Sequence, residues 1–92
     1  MVKNAAAETA EAVFEIDLRG LRCPMPVLRT QKRLSMLRGG ARLRVLADDP
    51  LAALDIANLC RQDGHRLVES RRLDEATCFE IVVGETDFGS EG

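Results

Sequence analysis

The run Cys23-Pro24-Met25-Pro26 is where residue types and spacing could do chemistry. Proline is favoured in the first turn of a helix, where its missing N–H costs nothing, so two prolines two residues apart mark a helix start. With Pro24 at the first helical position, Cys23 falls at the N-cap. Unpaired backbone N–H groups and the positive end of the helix dipole would then face its sulfur. Arg22 is adjacent and Arg19 is near. Each of these favours the thiolate, the nucleophilic form of cysteine. The same setting suits a persulfide, whose terminal sulfur must stay ionised to attack or to be handed on. The plainer reading is a small cap or a buried filler, because free cysteine is often buried. Against it, Arg19-Gly20-Leu21-Arg22 is not a buried-strand sequence, and Ser, Asp or Asn would cap better.

No other residues assemble into a competing centre. Cys60 lies on an apolar helical stripe and reads as core, where small apolar side chains collect. Cys78 is out of phase with Phe79 and Ile81 on a strand. Three cysteines with no close pair suggest neither a disulfide framework nor a zinc site. His65 is the single histidine, and a structural role at the surface is expected of it. Asp48-Asp49 is explained by helix capping. No Gly-rich phosphate loop with a Lys-Ser or Lys-Thr end is present, so no metal and no cofactor is expected.

The chain has 92 residues, room for one domain. With no Trp, no Tyr and three Phe, it lacks the aromatic platforms on which bases stack, which argues against direct RNA binding. No direct DNA partner is expected either. No apolar run approaches the ~18 residues of a membrane span. Met1 to Ala12 lacks the basic segment and apolar core of a signal peptide, and a cytoplasmic location is expected. The net charge of −2 hides a split: Leu18 to Ala47 carries eight basic residues and no acidic ones, whereas Asp48 onward carries four basic and eleven acidic. The basic stretch contains Cys23.

The elements that must position Cys23 follow from periodicity. Val13 to Leu18 alternates, with Phe14, Ile16 and Leu18 on one face, as a half-buried strand does. A helix is predicted from Pro24 to Leu37, with Val27, Leu28, Gln31, Leu34 and Leu37 inward and Arg29, Lys32 and Arg33 outward, stopped by Gly39-Gly40. Ala41 to Ala47 is a second strand. Asp49 as cap and Pro50 at the first helical position begin a second helix from Leu51 to Gln62. It carries Ala53, Ile56, Ala57 and Cys60 on one stripe, bordered by Leu51, Leu54 and Leu59. His65 to Arg71 and Thr77 to Val83 complete four strands. The order βαβαββ gives an α/β two-layer sandwich: a four-stranded mixed sheet with two helices on one face. Residues 13–84 make the domain, between a disordered tail (1–12) and a flexible acidic tail (85–92).

The run Asp17-Leu18-Arg19-Gly20-Leu21-Arg22-Cys23-Pro24-Met25-Pro26-Val27 resembles the Cys-Pro-x-Pro signature of the TusA-like (SirA-like) sulfur-carrier family. Leu46-Ala47-Asp48-Asp49-Pro50, Asp55-Ile56 and Cys60 resemble that family's second strand and second helix. The likeness spans Phe14 to Val83. It implies a sulfurtransferase in which Cys23 accepts sulfane sulfur as a persulfide from a cysteine desulfurase or a rhodanese-like donor and passes it to a relay acceptor protein. The pathways implied are tRNA thiolation, cofactor synthesis and sulfur oxidation. Asp17, Arg19, Gly20, Arg22, Pro24 and Pro26 match the motif around that cysteine. Met25 stands where the family often carries a charged or polar residue. The alternative is a non-catalytic partner-binding or regulatory module that uses the basic face of the first helix: Arg29, Lys32 and Arg33.

Overall fold

Alternation of small and branched apolar residues with charged ones produces the sheet. The structure, a computed structural model, describes residues 13–84; both expected tails lie outside the described residues. The strands are β1 (Val13–Asp17), β2 (Arg42–Ala47), β3 (Arg66–Leu73) and β4 (Ala76–Val82), and the helices are α1 (Met25–Ser35) and α2 (Ala52–Asp63). The sheet order is β1-β2-β4-β3. β1 pairs in parallel with β2, while β4 lies antiparallel to both β2 and β3. The last strand therefore enters the middle of the sheet, and the two helical crossovers cover one face. This is the predicted mixed sheet and two-layer sandwich.

On the covered face, Leu43 and Val45 of β2 stand opposite Ile81 and Phe79 of β4, and all four are at most 1% exposed. Each such side chain contributes about 1.5–3 kcal/mol through burial. Leu34 and Ile56 press onto them from α1 and α2. On the open face Arg42 and Arg44 flank Glu80, whose carboxylate receives Arg42 Nη1 at 2.7 Å and Arg44 Nε at 3.5 Å. The edge strand β1 is covered less well than its alternation suggests. Ile16 is half-buried, and Phe14 is exposed near the open end of the strand.

Of the predicted helical stripes, Leu34, Ile56 and Cys60 are buried and Val27 and Leu37 pack partly buried against the core, while Leu28, Gln31 and Ala53 are exposed. α1 buries Pro26, Thr30 and Leu34, whereas Leu28 and Gln31 are exposed. Thr30 can occupy the core because its hydroxyl donates to the Pro26 carbonyl at 2.7 Å, leaving no polar group unpaired. α2 buries Ala52, Ile56, Leu59 and Cys60, leaving Leu51, Ala53 and Leu54 exposed. Both helices also start later than the prolines predicted. Pro24 and Leu51 are the N-caps, and neither helix has a side-chain cap. Asp49 does not cap; its carbonyl accepts the Ala52 N–H at 3.0 Å and its side chain is buried. α2 ends at Gly64 in the left-handed region (φ +82°), a conformation that glycine adopts without strain.

Candidate functional site

The motif before α1 folds as a clamped loop. Asp17 closes β1 and takes the Arg19 guanidinium at 2.7 Å, which holds its carboxyl well down, at about 2. The chain then turns at Gly20, whose φ of +93° disfavours any side chain. The Gly20 N–H donates to Asp48 Oδ1 at 2.9 Å, and Arg22 Nη1 reaches the same oxygen at 3.0 Å. The Gly20 bond first and the Arg22 contacts after it hold Asp48 below the usual carboxylate range. One carboxylate at the end of β2 thus pins both sides of the turn, and Cys23 follows as a fixed, exposed residue.

Cys23 lies outside the helix. Pro24 takes the N-cap, so the sulfur sits one residue further from α1 than predicted. The expected cluster of N–H donors is depleted as well. Pro24 and Pro26 have none, and that of Met25 is spent on the Arg22 carbonyl at 2.8 Å. Arg19 and Arg22 are engaged by Asp17 and Asp48. What faces the sulfur is an acid: the Cys23 thiol donates to Asp55 Oδ2 at 3.5 Å. Lost hydration first, then the Asp55 carboxylate and more weakly Asp49, push the thiol up from its ordinary value. This runs against the expectation of a stabilised thiolate: the surroundings of Cys23 favour its protonated form.

A groove of about 350 Å³ runs from Cys23 between α1 and α2, with Val27 and Leu28 on one wall and Asp55 and Asn58 on the other. Leu28 and Gln31 also line a larger cavity of about 830 Å³ that continues toward Asp63 and His65. Gln31 bridges the two helices by donating to Asp63 Oδ2 at 3.3 Å. His65 is half-buried, and its Nδ1 accepts the Gly84 N–H at 3.0 Å, so the structural role expected of it is borne out in a more covered setting.

The basic residues do not converge on the sulfur. Arg29, Lys32 and Arg33 line a shallow depression with Ile16 and Met36, on the β1 side of α1, and Lys32 stands between it and the inter-helix cavity. None of the three forms an ion pair among the described residues. The other cysteines lie apart from the groove lining. Cys60 is in the core, where burial first and Asp63 after it push its thiol up to about 11. Cys78 is half-buried on the open face, opposite Leu46 and Arg71. Asp55 is the participant that motif spacing missed. The acid in the first turn of the predicted second helix was visible in the sequence, but no local pattern set it beside Cys23.

An exposed cysteine on a clamped loop, ahead of a proline-rich helix start in a βαβαββ sandwich, defines an α/β protein that presents one accessible thiol beside an inter-helix groove. Comparison with known proteins gives the family. Residues 14–84 match the model for the sulfurtransferase TusA, and the chain belongs to that family. The sulfur carrier protein TusA of Allochromatium vinosum is 40% identical over 69 residues, covering 75% of this chain and 88% of that one. Two Neisseria meningitidis relatives, whose names propose a sulfur-carrier role, are 42% identical over 68 residues, 74% of this chain and 89% of theirs. The crystal structure of a SirA-like protein from Desulfitobacterium hafniense superposes with a TM-score of 0.68 at 29% identity, covering 78% of this chain and 99% of that chain. The family carries sulfur in relays, between donor and acceptor proteins. Among the described residues no helix is long and apolar enough to cross a membrane.

Proposed function

We propose that Cys23 is the residue on which this sulfur carrier holds its cargo, as a persulfide received from a cysteine desulfurase or rhodanese-like donor. The observation that carries this reading is the placement of Cys23. It is exposed, on a loop fixed at both sides by Asp48, and it opens onto the groove between α1 and α2. Cys60 is buried in the core and Cys78 sits half-buried in the sheet, so neither competes for access.

Loading is an exchange of sulfane sulfur. The Cys23 sulfur attacks the terminal sulfur of the donor persulfide, the donor S–S bond breaks, and its electron pair stays with the donor sulfur. The proton leaving Cys23 balances the donor thiolate. No external oxidant is needed. Asp17, Arg19, Gly20, Arg22, Pro24 and Pro26 hold the loop; Arg29, Lys32 and Arg33 offer cationic docking to an acidic surface on donor or acceptor. The reactions fed by the acceptor are tRNA thiolation, cofactor synthesis or sulfur oxidation, and the compartment is the cytoplasm.

The test is intact mass after incubation with a cysteine desulfurase and cysteine. A gain of one sulfur atom, reversed by reductant and lost in Cys23→Ser but kept in Cys60→Ser and Cys78→Ser, is expected. Sulfur uptake that survives Cys23→Ser would remove the proposal.

A further inference from the structure

The groove wall opposite Cys23 carries a charged group that holding the loop does not require. Asp55 Oδ2 lies 3.5 Å from Cys23 Sγ, across the gap between two helices and 32 positions away in sequence. Among the described residues its carboxylate has no ion pair. A place in the first turn of α2 suits an acid, because the helix dipole favours negative charge there. That accounts for the residue type, but not for its meeting the one exposed thiol.

We infer that Asp55 is a working part of the sulfur site: its carboxylate holds the proton of the empty Cys23 thiol and repels the charge of a loaded terminal sulfur, so that the carrier releases sulfur more readily than a bare cysteine would. The inference rests on Cys23 being the carrying residue. In the empty state the thiol donates to Asp55, a hydrogen bond to a charged acceptor that favours protonated sulfur. In the loaded state that proton is gone. The negative charge sits on the terminal sulfur, one S–S bond of about 2 Å beyond Sγ. It is still close enough to the carboxylate for like charges to repel. The carboxylate thus stabilises the empty carrier and destabilises the loaded one.

Discharge closes the cycle. An acceptor thiolate attacks the terminal sulfur and the Cys23 S–S bond breaks. Sγ leaves with the electron pair, takes up a proton released by the acceptor thiol, and returns to its hydrogen bond with Asp55. Sulfane sulfur changes owner and nothing is oxidised or reduced overall.

The charges around Cys23 act in one direction. Asp49, in the loop before α2, adds a weaker push of the same sign. Arg22 is held by Asp48. Gln31, Asn58 and Gln62, which complete the groove, are uncharged.

The test uses the full chain and its Asp55→Asn and Asp55→Ser variants, with Cys23 followed by peptide mapping. Each protein is equilibrated at pH 7.4 with a fixed ratio of glutathione persulfide to glutathione. Separately, the rate of Cys23 alkylation by iodoacetamide is measured against pH. Both variants should hold several-fold more sulfur at equilibrium. Their alkylation should be several-fold faster at neutral pH, with the profile moved toward lower pH and an unchanged circular dichroism spectrum. If the wild type loads and both variants match its loaded fraction and its pH profile, Asp55 is only a helix-start residue and the inference is overturned, while the carrier reading stands. If the wild type takes up no sulfur from either this donor or a desulfurase, the carrier reading fails and takes the inference with it.

Discussion

The guanidinium of Arg22 lies 3.0 Å from the carboxylate of Asp48, so the cation nearest to Cys23 in sequence is turned to holding the loop rather than to charging the sulfur. The same Asp48 oxygen takes the Gly20 N–H. Asp48 therefore holds both the turn before Cys23 and the cation next to it, while Asp55 is the carboxylate that faces the thiol itself.

The two contacts of Asp48 can be separated experimentally. In Asp48→Asn the amide oxygen still accepts the Gly20 N–H but the ion pair is lost, which frees Arg22 beside the sulfur. Cys23 alkylation at neutral pH should rise while the urea midpoint moves little. Asp48→Ala loses both contacts, and its urea midpoint should fall as well. Iodoacetamide rates and urea melts read the two effects. An Asp48→Ala protein identical to wild type in both would show that the turn needs no clamp.

His65 gives the fold a pH dependence whose sign is fixed by geometry. Its Nδ1 accepts from Gly84 N–H and therefore has to be unprotonated, and burial, set against a smaller pull from Asp63, holds the imidazole below 6.5. Between the folded value and 6.5 the unfolded chain binds more protons than the folded one. Stability is thus complete above pH 6.5 and declines as pH falls through 6.5 to the folded value. The His65 ring protons should titrate below 6.5 by NMR, and the urea midpoint should drop over that window. In His65→Gln, which does not titrate, the slope should vanish. A slope that persists in the variant would assign it to other groups.

The core beneath the site tolerates little. Phe79 is 1% exposed at the centre of the sheet, and Phe79→Ala should cost about 3–5 kcal/mol. Against a total of about 5–15 kcal/mol for a domain of this kind, that is a fifth or more of the stability. Thr30→Val keeps the shape and removes the hydroxyl that bonds Pro26. It should cost about 1 kcal/mol and leave the Cys23 alkylation rate unchanged. Urea melts of both variants, with alkylation rates for Thr30→Val, test this pair. A Thr30→Val protein with altered Cys23 reactivity would mean that the helix start transmits its packing to the sulfur.

Strand and helix periods were legible because each apolar side chain on β2 and β4 has one face to choose. Phe79, Ile81 and Val83 fall on the covered face as their alternation indicates. The sheet order was not legible, since inserting β4 between β2 and β3 is a long-range pairing that no local pattern encodes. On α1 the predicted stripe missed Thr30, which counts as polar in a pattern, while a hydroxyl bonded to the preceding turn behaves as core. At the site, the Cys-Pro-x-Pro run pointed to the exposed cysteine, and the charges that surround it are opposite to those expected. The prolines that mark a helix start also remove the N–H groups that would have stabilised a thiolate. Asp55 was out of reach of motif spacing because its contact with Cys23 exists only once α2 lies beside α1.

The basic face of α1 makes a last prediction that separates docking from chemistry. Half of the cations between Leu18 and Ala47 are engaged: Arg19 by Asp17, Arg22 by Asp48, and Arg42 and Arg44 by Glu80. Arg29, Lys32 and Arg33 have no such pair among the described residues, and they lie around α1 from the groove that holds Cys23. Reversing them together, in Arg29→Glu, Lys32→Glu and Arg33→Glu, breaks no ion pair among the described residues but puts acids in the last turn of α1, where the helix dipole favours cations, so stability should fall by about 1–2 kcal/mol with the fold retained. Loading from a small persulfide should be unchanged, because the small donor meets only the groove. Loading from a desulfurase should slow, and the wild-type rate should show a salt dependence that the variant loses, as expected when charged patches steer two proteins together. Equal slowing with both donors would mean that the face acts on the thiol itself. No slowing with either would leave the face as solvated surface and move the docking site to the exposed apolar residues beside Cys23, Met25 and Leu28.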